Sequence, residues 1–172
     1  VKETSTDSNG ITVDGKTYTV TVTVSDNGDG TLKITASDNA TALDFTNTYE
    51  AKGDVTFAGI KKLEGRELTE ADVFTFEIAE TGTDKTWTAK NDETGKIGYP
   101  TIEYTLADVG DHKYTVSEEK GQDGEITYDE TVYTIDVNVK DNGDGTLKVV
   151  ASDNAKALNF TNTYEADGTV RF

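Results

Sequence analysis

The stretch ALDFTNTYEA at residues 42–51 recurs, with one substitution, as ALNFTNTYEA at residues 157–166. Within it Leu, Phe, Asn and Tyr occupy every second position, and side chains two apart on a β-strand point to the same face. Asn47 and Asn162 are therefore predicted to point where the aromatic residues point, into a core. An amide there calls for an explanation, because a buried polar group without a partner costs free energy.

The chain duplicates itself beyond this motif. DNGDGTLK occurs at 26–33 and again at 141–148, and segment 1–57 aligns without a gap with 116–172. The period of 115 residues is too long for a solenoid unit and fits tandem domains. We therefore expect a piece of a longer array, with three parts: 1–50 is the C-terminal half of one repeat, 51–165 is a complete repeat, and 166–172 is the first strand of a following repeat.

Alternation with a period of two dominates the chain. TYTVTVTV at 17–24 and VYTIDVNV at 132–139 predict half-buried strands, and the DNGDG that follows each predicts a hairpin loop. Further strands are expected at 55–63, 74–78, 86–89, 99–105 and 114–118. Many short strands without a long amphipathic helix predict an all-β fold, a β-sandwich.

Composition excludes several classes of function. The 33 acidic against 16 basic residues give a net charge of -17, which is opposite to the basic footprint of a nucleic-acid-binding protein. Without Cys, neither a disulfide nor a thiolate metal site can form. No apolar run has the length of a membrane span, and no phosphate loop or paired-His motif is present. We therefore expect no cofactor, no metal, no nucleic-acid partner and no membrane insertion.

Three polar residues share the phase of the apolar faces. Lys61 lies four residues after Phe57 and two before Leu63. Glu118 lies four residues after Tyr114 and two after Val116. Asn162 lies two residues after Phe160. Buried charges need partners, so the three are predicted to share one site. The simplest interpretation is a buried Lys–Glu ion pair with a hydrogen bond from the asparagine.

A chemical interpretation of the same three residues is also open. Burial lowers the pKa of a lysine and raises that of a glutamate, which favours a free amine beside a neutral acid. The amine of Lys61 could then attack the carboxamide carbon of Asn162. Glu118 would hydrogen-bond the carbonyl and carry protons to the leaving ammonia. The product would be a side-chain amide that joins the first strand to the last.

Several stretches carry a family resemblance: GIKKLEGREL, FTFEI, YTVSEE, YDETVYTIDVNVKDNGDGTL and FTNTYEA. They resemble the pilin isopeptide-linkage domains of Gram-positive surface proteins, which are Ig-like, CnaB-type β-sandwich repeats. The resemblance covers 51–165 and, as a half copy, 1–50. It implies an isopeptide bond between Lys61 and Asn162 with Glu118 as catalyst, and it places Glu3 and Asn47 at the equivalent positions of the half repeat.

The resemblance also implies a function. We expect a structural stalk or shaft module of a pilin or adhesin, extracellular and anchored to the cell wall through segments not in this chain. It would not be an enzyme beyond one autocatalytic crosslinking event. Its partners would be neighbouring repeats, with an unknown host ligand and strand exchange with another copy as further possibilities. The alternatives are a ligand-binding adhesin domain, which needs an exposed apolar patch or long variable loops, and a hydrolase using Glu118 with another acid, which needs an accessible cleft.

Overall fold

The computed structural model describes residues 1–168 and 170, and it is built almost entirely of β-strands. The all-β prediction is confirmed. The chain divides into two compact units, Val1–Ala51 with Gly143–Thr146, and Lys52–Asn142 with Leu147–Phe172. The strand predicted over 166–172 falls partly on residues 169, 171 and 172, which lie outside the described residues. Within the described part, no helix has the length and apolar character needed to cross a membrane.

The first unit contains four short strands. They are β1 (Ile11–Thr12), β2 (Val22–Asp26), β3 (Leu32–Ala36) and β4 (Thr48–Tyr49), with a 3-10 turn at Asp38–Thr41. β1 pairs with β4 and β2 pairs with β3, both antiparallel. The half-buried strand predicted over 17–24 is wrong in extent and in burial, because β2 starts at Val22 and is exposed along its length.

The second unit contains ten strands. They are β5 (Lys52–Thr56), β6 (Lys61–Glu64), β7 (Thr75–Glu80), β8 (Thr86–Lys90), β9 (Thr101–Thr105), β10 (Gly110–Glu118), β11 (Ile126–Thr127), β12 (Val132–Asp141), β13 (Leu147–Ala151) and β14 (Phe160–Tyr164), with 3-10 turns at Leu106–Asp108 and Asp153–Lys156. A five-stranded sheet has the order β13-β12-β10-β7-β8, and a smaller sheet has the order β11-β14-β6. β5 pairs with β9, and β6 runs parallel to β14.

The core of the second unit lies between these sheets. Ile135, Val137 and Val139 of β12 are buried, as the alternation of VYTIDVNV predicts. Across the core, the ring of Phe76 lies 4.9 Å from that of Phe160. The packing of two aromatic-lined sheet faces is that of a β-sandwich. The predicted DNGDG hairpins are confirmed, since they connect β2 to β3 and β12 to β13.

One strand prediction is wrong in a way that affects the site. The single strand expected over 55–63 is two strands, β5 and β6, which belong to different sheets. Between them, a Cβ on Gly59 would lie 1.9 Å from the carbonyl oxygen of Leu158, so only glycine allows this close backbone approach. The alternation of inward-facing side chains continues across the break, and both Phe57 and Lys61 are buried.

Arg66 stabilises the loop that follows β6. Arg66 donates to both carboxylate oxygens of Asp72 at 2.7 and 2.8 Å, and its guanidinium lies 4.6 Å from the ring centre of Tyr164 on β14. The Arg66 guanidinium holds the pKa of Asp72 well below its usual range. Asp72 also accepts from the backbone N–H of Thr69 at 2.8 Å, which stabilises a turn within the segment 68–72.

Candidate functional site

Lys61 is the first residue of β6, and its side chain enters the core of the second unit. The residue is 1% exposed. Its Nζ lies 4.7 Å from the ring centre of Phe74 and 2.5 Å from Oε2 of Glu118. β6 is held in place by its parallel pairing with β14, in which Lys61 lies beside Phe160. The lysine amine therefore lies in a buried site beside the ring of Phe74.

Glu118 is the last residue of β10, beside Phe76 of β7. The side chains of Lys61 and Glu118 are both 0% exposed. One carboxylate oxygen, Oε2, accepts from Lys61, and the other, Oε1, accepts from Nδ2 of Asn162 at 2.7 Å. The carboxylate thus bridges the amine nitrogen and the amide nitrogen, a position from which one group can pass a proton between them.

Asn162 is the third residue of β14 and is fully buried. Its Oδ1 accepts a hydrogen bond of 2.8 Å from the backbone N–H of Asp129. A backbone N–H can only donate, so Oδ1 must face Asp129 and Nδ2 must face Glu118. The sequence-based expectation that Glu118 contacts the carbonyl oxygen is therefore wrong in this structure, where Glu118 contacts the nitrogen that would leave as ammonia.

Burial sets the charge state of the lysine and the glutamate. Desolvation lowers the pKa of Lys61, although the hydrogen bond that Lys61 donates to Glu118 acts against this. Desolvation likewise raises the pKa of Glu118, against the opposing effects of Lys61 and Asn162. Both directions favour a neutral amine beside a neutral acid. The site can therefore present the lysine in its nucleophilic form.

The two half-repeat residues also lie together. In the first unit, Asn47 donates through Nδ2 to Oε1 of Glu3 at 3.0 Å, and the backbone N–H of Asp14 donates to Oδ1 of Asn47 at 2.8 Å. This is the arrangement of Glu118, Asn162 and Asp129 at an offset of 115 residues. Asn47 differs in being exposed to solvent.

Asp129 is the site residue that the sequence analysis missed. A signal was available, because Asp14 and Asp129 are identical at the same offset within a part of the duplication where few positions match. No pattern of core-facing alternation could have found Asp129, since it acts through its main chain from the loop between β11 and β12. Among the described residues, no group of His, Cys, Asp and Glu is arranged to hold a metal ion.

This geometry defines a class: a β-sandwich domain with an amine, an acid and a carboxamide sealed in its core. The family model for the Spy0128-like isopeptide-containing domain, FctA, matches residues 1–50 and 57–165. The chain belongs to this family, which confirms the predicted membership among pilin isopeptide domains.

One solved structure similar to the chain is a mutant of the major pilin from Streptococcus pyogenes. The identity is 19%, the match covers 65% of this chain and 50% of that chain, and the TM-score is 0.40. The chain thus spans about half the length of that pilin. No curated protein matches the sequence.

Proposed function

We propose that the chain is a structural shaft module of a Gram-positive cell-surface protein, stabilised by an isopeptide bond that forms spontaneously between Lys61 and Asn162. The observation that carries the proposal is the bridging position of Glu118, in contact with both residues inside a sealed core. Membership of the isopeptide-containing family supports the same conclusion. Neighbouring repeats of the parent protein are the expected partners, at the cell surface.

The proposed reaction uses only these side chains. The neutral amine of Lys61 attacks Cγ of Asn162, and the electron pair of the C=O bond moves to Oδ1. Glu118, as the neutral acid, gives its proton to Nδ2 and regains one from Nζ, and Nδ2 leaves as ammonia while the C=O bond reforms. The products are one Nζ–Cγ amide and one ammonia molecule, and Glu118 returns to its starting state. The event occurs once per chain.

A hydrolase using Glu118 is not favoured by this geometry. The side chain of Glu118 is fully excluded from solvent. An external substrate would have to open the core to reach it. The reacting groups that can meet there are those that the chain itself supplies.

The position of the bond suits a load-bearing role. β6 and β14 are parallel neighbours near the two ends of the second unit. Tension applied through those ends would shear the two strands past each other. A covalent bond from Lys61 to Asn162 would carry this tension directly and leave the intervening strands unloaded.

Two measurements test the proposal. The intact mass of the purified chain should fall short of the sequence mass by at least one ammonia, and a mass equal to the sequence mass would refute the bond. Stretching single molecules from both ends should leave the span between Lys61 and Asn162 folded. If crosslinked material releases that span at modest force, the shaft function is wrong even though the bond is present.

A further inference from the structure

The amide oxygen of Asn162 has its own hydrogen-bond donor, the main-chain N–H of Asp129, at 2.8 Å. During attack by an amine this oxygen gains negative charge, and a donor already aimed at it stabilises that charge without reorganisation. Glu118 cannot fill this role, since its two oxygens face the two nitrogens. The function of the Asp129 N–H is thus separate from that of the proton carrier.

The side chain of Asp129 fixes the direction of its own N–H. Oδ1 accepts from the backbone N–H of Thr131 at 2.9 Å, and Oδ2 accepts from that of Thr161 at 2.7 Å. Thr161 directly precedes Asn162 on β14. The carboxylate therefore ties the loop carrying the donor to the strand carrying the acceptor.

The first unit contains the same set of three hydrogen bonds around Asp14. The backbone N–H of Asp14 donates to Asn47 at 2.8 Å, Oδ1 of Asp14 accepts from the N–H of Lys16 at 2.9 Å, and Oδ2 accepts from the N–H of Thr46 at 2.9 Å. The residues after each aspartate differ between the copies, whereas the three contacts are the same. The three hydrogen bonds are thus present in both copies although the neighbouring residues differ, as expected if they position the N–H that binds the asparagine.

We propose that the main-chain N–H of Asp129 is the oxyanion donor for amide formation at Asn162, and that the Asp129 carboxylate positions it. The proposal rests on the proposed crosslinking reaction. In the tetrahedral intermediate, Cγ carries Nζ, Nδ2 and an oxyanion on Oδ1, and the N–H of Asp129 binds that oxyanion. When the C=O bond reforms, Nδ2 leaves with the proton from Glu118, and the hydrogen bond returns to its ground-state strength.

The direct test removes only the donor. Chain prepared by chemical synthesis with an ester in place of the amide between Tyr128 and Asp129 lacks this N–H but keeps every side chain. After refolding, the rate of ammonia loss should fall by about 10²–10³-fold, the effect of losing one oxyanion donor. The pH dependence of the rate should keep its shape, because Lys61 and Glu118 are unchanged. The matched control is an ester between Val13 and Asp14, which should leave the rate unchanged.

A second pair of variants tests the positioning carboxylate. Asp129→Asn keeps the volume but turns one acceptor into a donor that faces the N–H of Thr131 or Thr161, and it should slow ammonia loss by at least about tenfold. Asp14→Asn, the control, should not. Hydrogen exchange measures how fast each sample folds before it reacts, so that slow folding is distinguished from slow chemistry.

The outcomes separate the two proposals. If native chain loses no ammonia, the crosslinking function itself is wrong. If native chain loses ammonia and the Tyr128–Asp129 ester loses it at the same rate, the oxyanion role alone is overturned. If the ester is slow but Asp129→Asn reacts at the native rate, the positioning role of the carboxylate is overturned.

Discussion

Nζ of Lys61 lies 2.5 Å from Oε2 of Glu118, and both side chains are fully excluded from solvent. A buried ion pair is weak grounds for stability, because the cost of desolvating two charges offsets their attraction. Transfer of the proton to the carboxylate would remove both charges at once. The same contact that would be costly as a permanent ion pair is well suited to start a reaction.

Removal of either reactant should abolish the crosslink. Neither Lys61→Ala nor Asn162→Ala should lose ammonia at this site. Both variants should also unfold at a lower denaturant concentration, since a crosslink that closes about 100 residues contributes roughly 4–5 kcal/mol by the loop-entropy model. Intact mass and denaturant unfolding measure the two effects. Lys62→Ala, next in the chain but exposed, is the control and should behave as the native chain does. A normal mass deficit in Lys61→Ala would assign the bond elsewhere.

Replacement of the proton carrier should block the reaction without removing a reactant. Glu118→Gln cannot accept the proton of Lys61, and general acid–base catalysis is worth about 10²–10⁴-fold, so mass measured over time should show greatly slowed ammonia loss. Glu119→Gln changes the exposed neighbour and should crosslink at the native rate. Rapid crosslinking in folded Glu118→Gln would show that another group moves the proton.

The crosslink should map to the second asparagine motif. Lys61 and Asn162 share Glu118, whereas Asn47 contacts Glu3 in the first unit. Digestion followed by mass spectrometry should give a branched peptide that joins the segments around Lys61 and Asn162. Asn47→Ala should leave this peptide unchanged. A branched peptide of Lys61 with Asn47 as the main species would contradict the assignment and redraw the predicted repeat boundaries.

His112 should make stability depend on pH. Its Nδ1 lies 2.5 Å from the carboxylate of Glu80, and its Nε2 lies 2.7 Å from the carbonyl of Asp108, so both nitrogens face acceptors and only the imidazolium donates to both. Burial alone would lower the pKa of His112, but the contacts with Asp108 and Glu80 outweigh it and raise that pKa. Tyr104 and Tyr114 pack against the ring.

Since the pKa is raised on folding, the stabilisation is fully present below the unfolded pKa of about 6.5 and is lost as pH rises through the folded value. Unfolding free energy should therefore decline above about pH 6.5, with a contribution from this group of at most about 1.4 kcal/mol per pH unit. His112→Gln should flatten the dependence in that window. An unchanged slope in the variant would show that the imidazolium is not responsible.

Two buried tyrosines should respond oppositely to loss of the hydroxyl. Tyr114 shares a hydrogen bond of 2.9 Å with the hydroxyl of Tyr104, so Tyr114→Phe leaves a buried group unpaired and should cost about 1–2 kcal/mol. The hydroxyl of Tyr99 is buried without a hydrogen-bond partner among the described residues, so Tyr99→Phe should be neutral or slightly stabilising. Denaturant midpoints of the two variants decide this, and a larger loss for Tyr99→Phe would contradict it.

The features that depend on local backbone geometry could be predicted from the amino-acid sequence. Because strand side chains alternate with a period of two, Lys61, Glu118 and Asn162 could be assigned to the core before any contact was known. The duplication of FTNTYEA identified the asparagine as part of a repeated motif, and the DNGDG stretches located the hairpins. These inferences needed no knowledge of which strands become neighbours.

The contacts between these groups depend on how distant strands pack against one another. The parallel pairing of β6 with β14 places Lys61 near Asn162, and the break at Gly59 moves β6 out of the sheet of β5. The orientation of the Asn162 amide depends on a main-chain N–H from Asp129 in a distant loop. Every residue type except proline carries such an N–H, so sequence cannot reveal which one is aimed at a given oxygen. Only the packed chain fixes that direction.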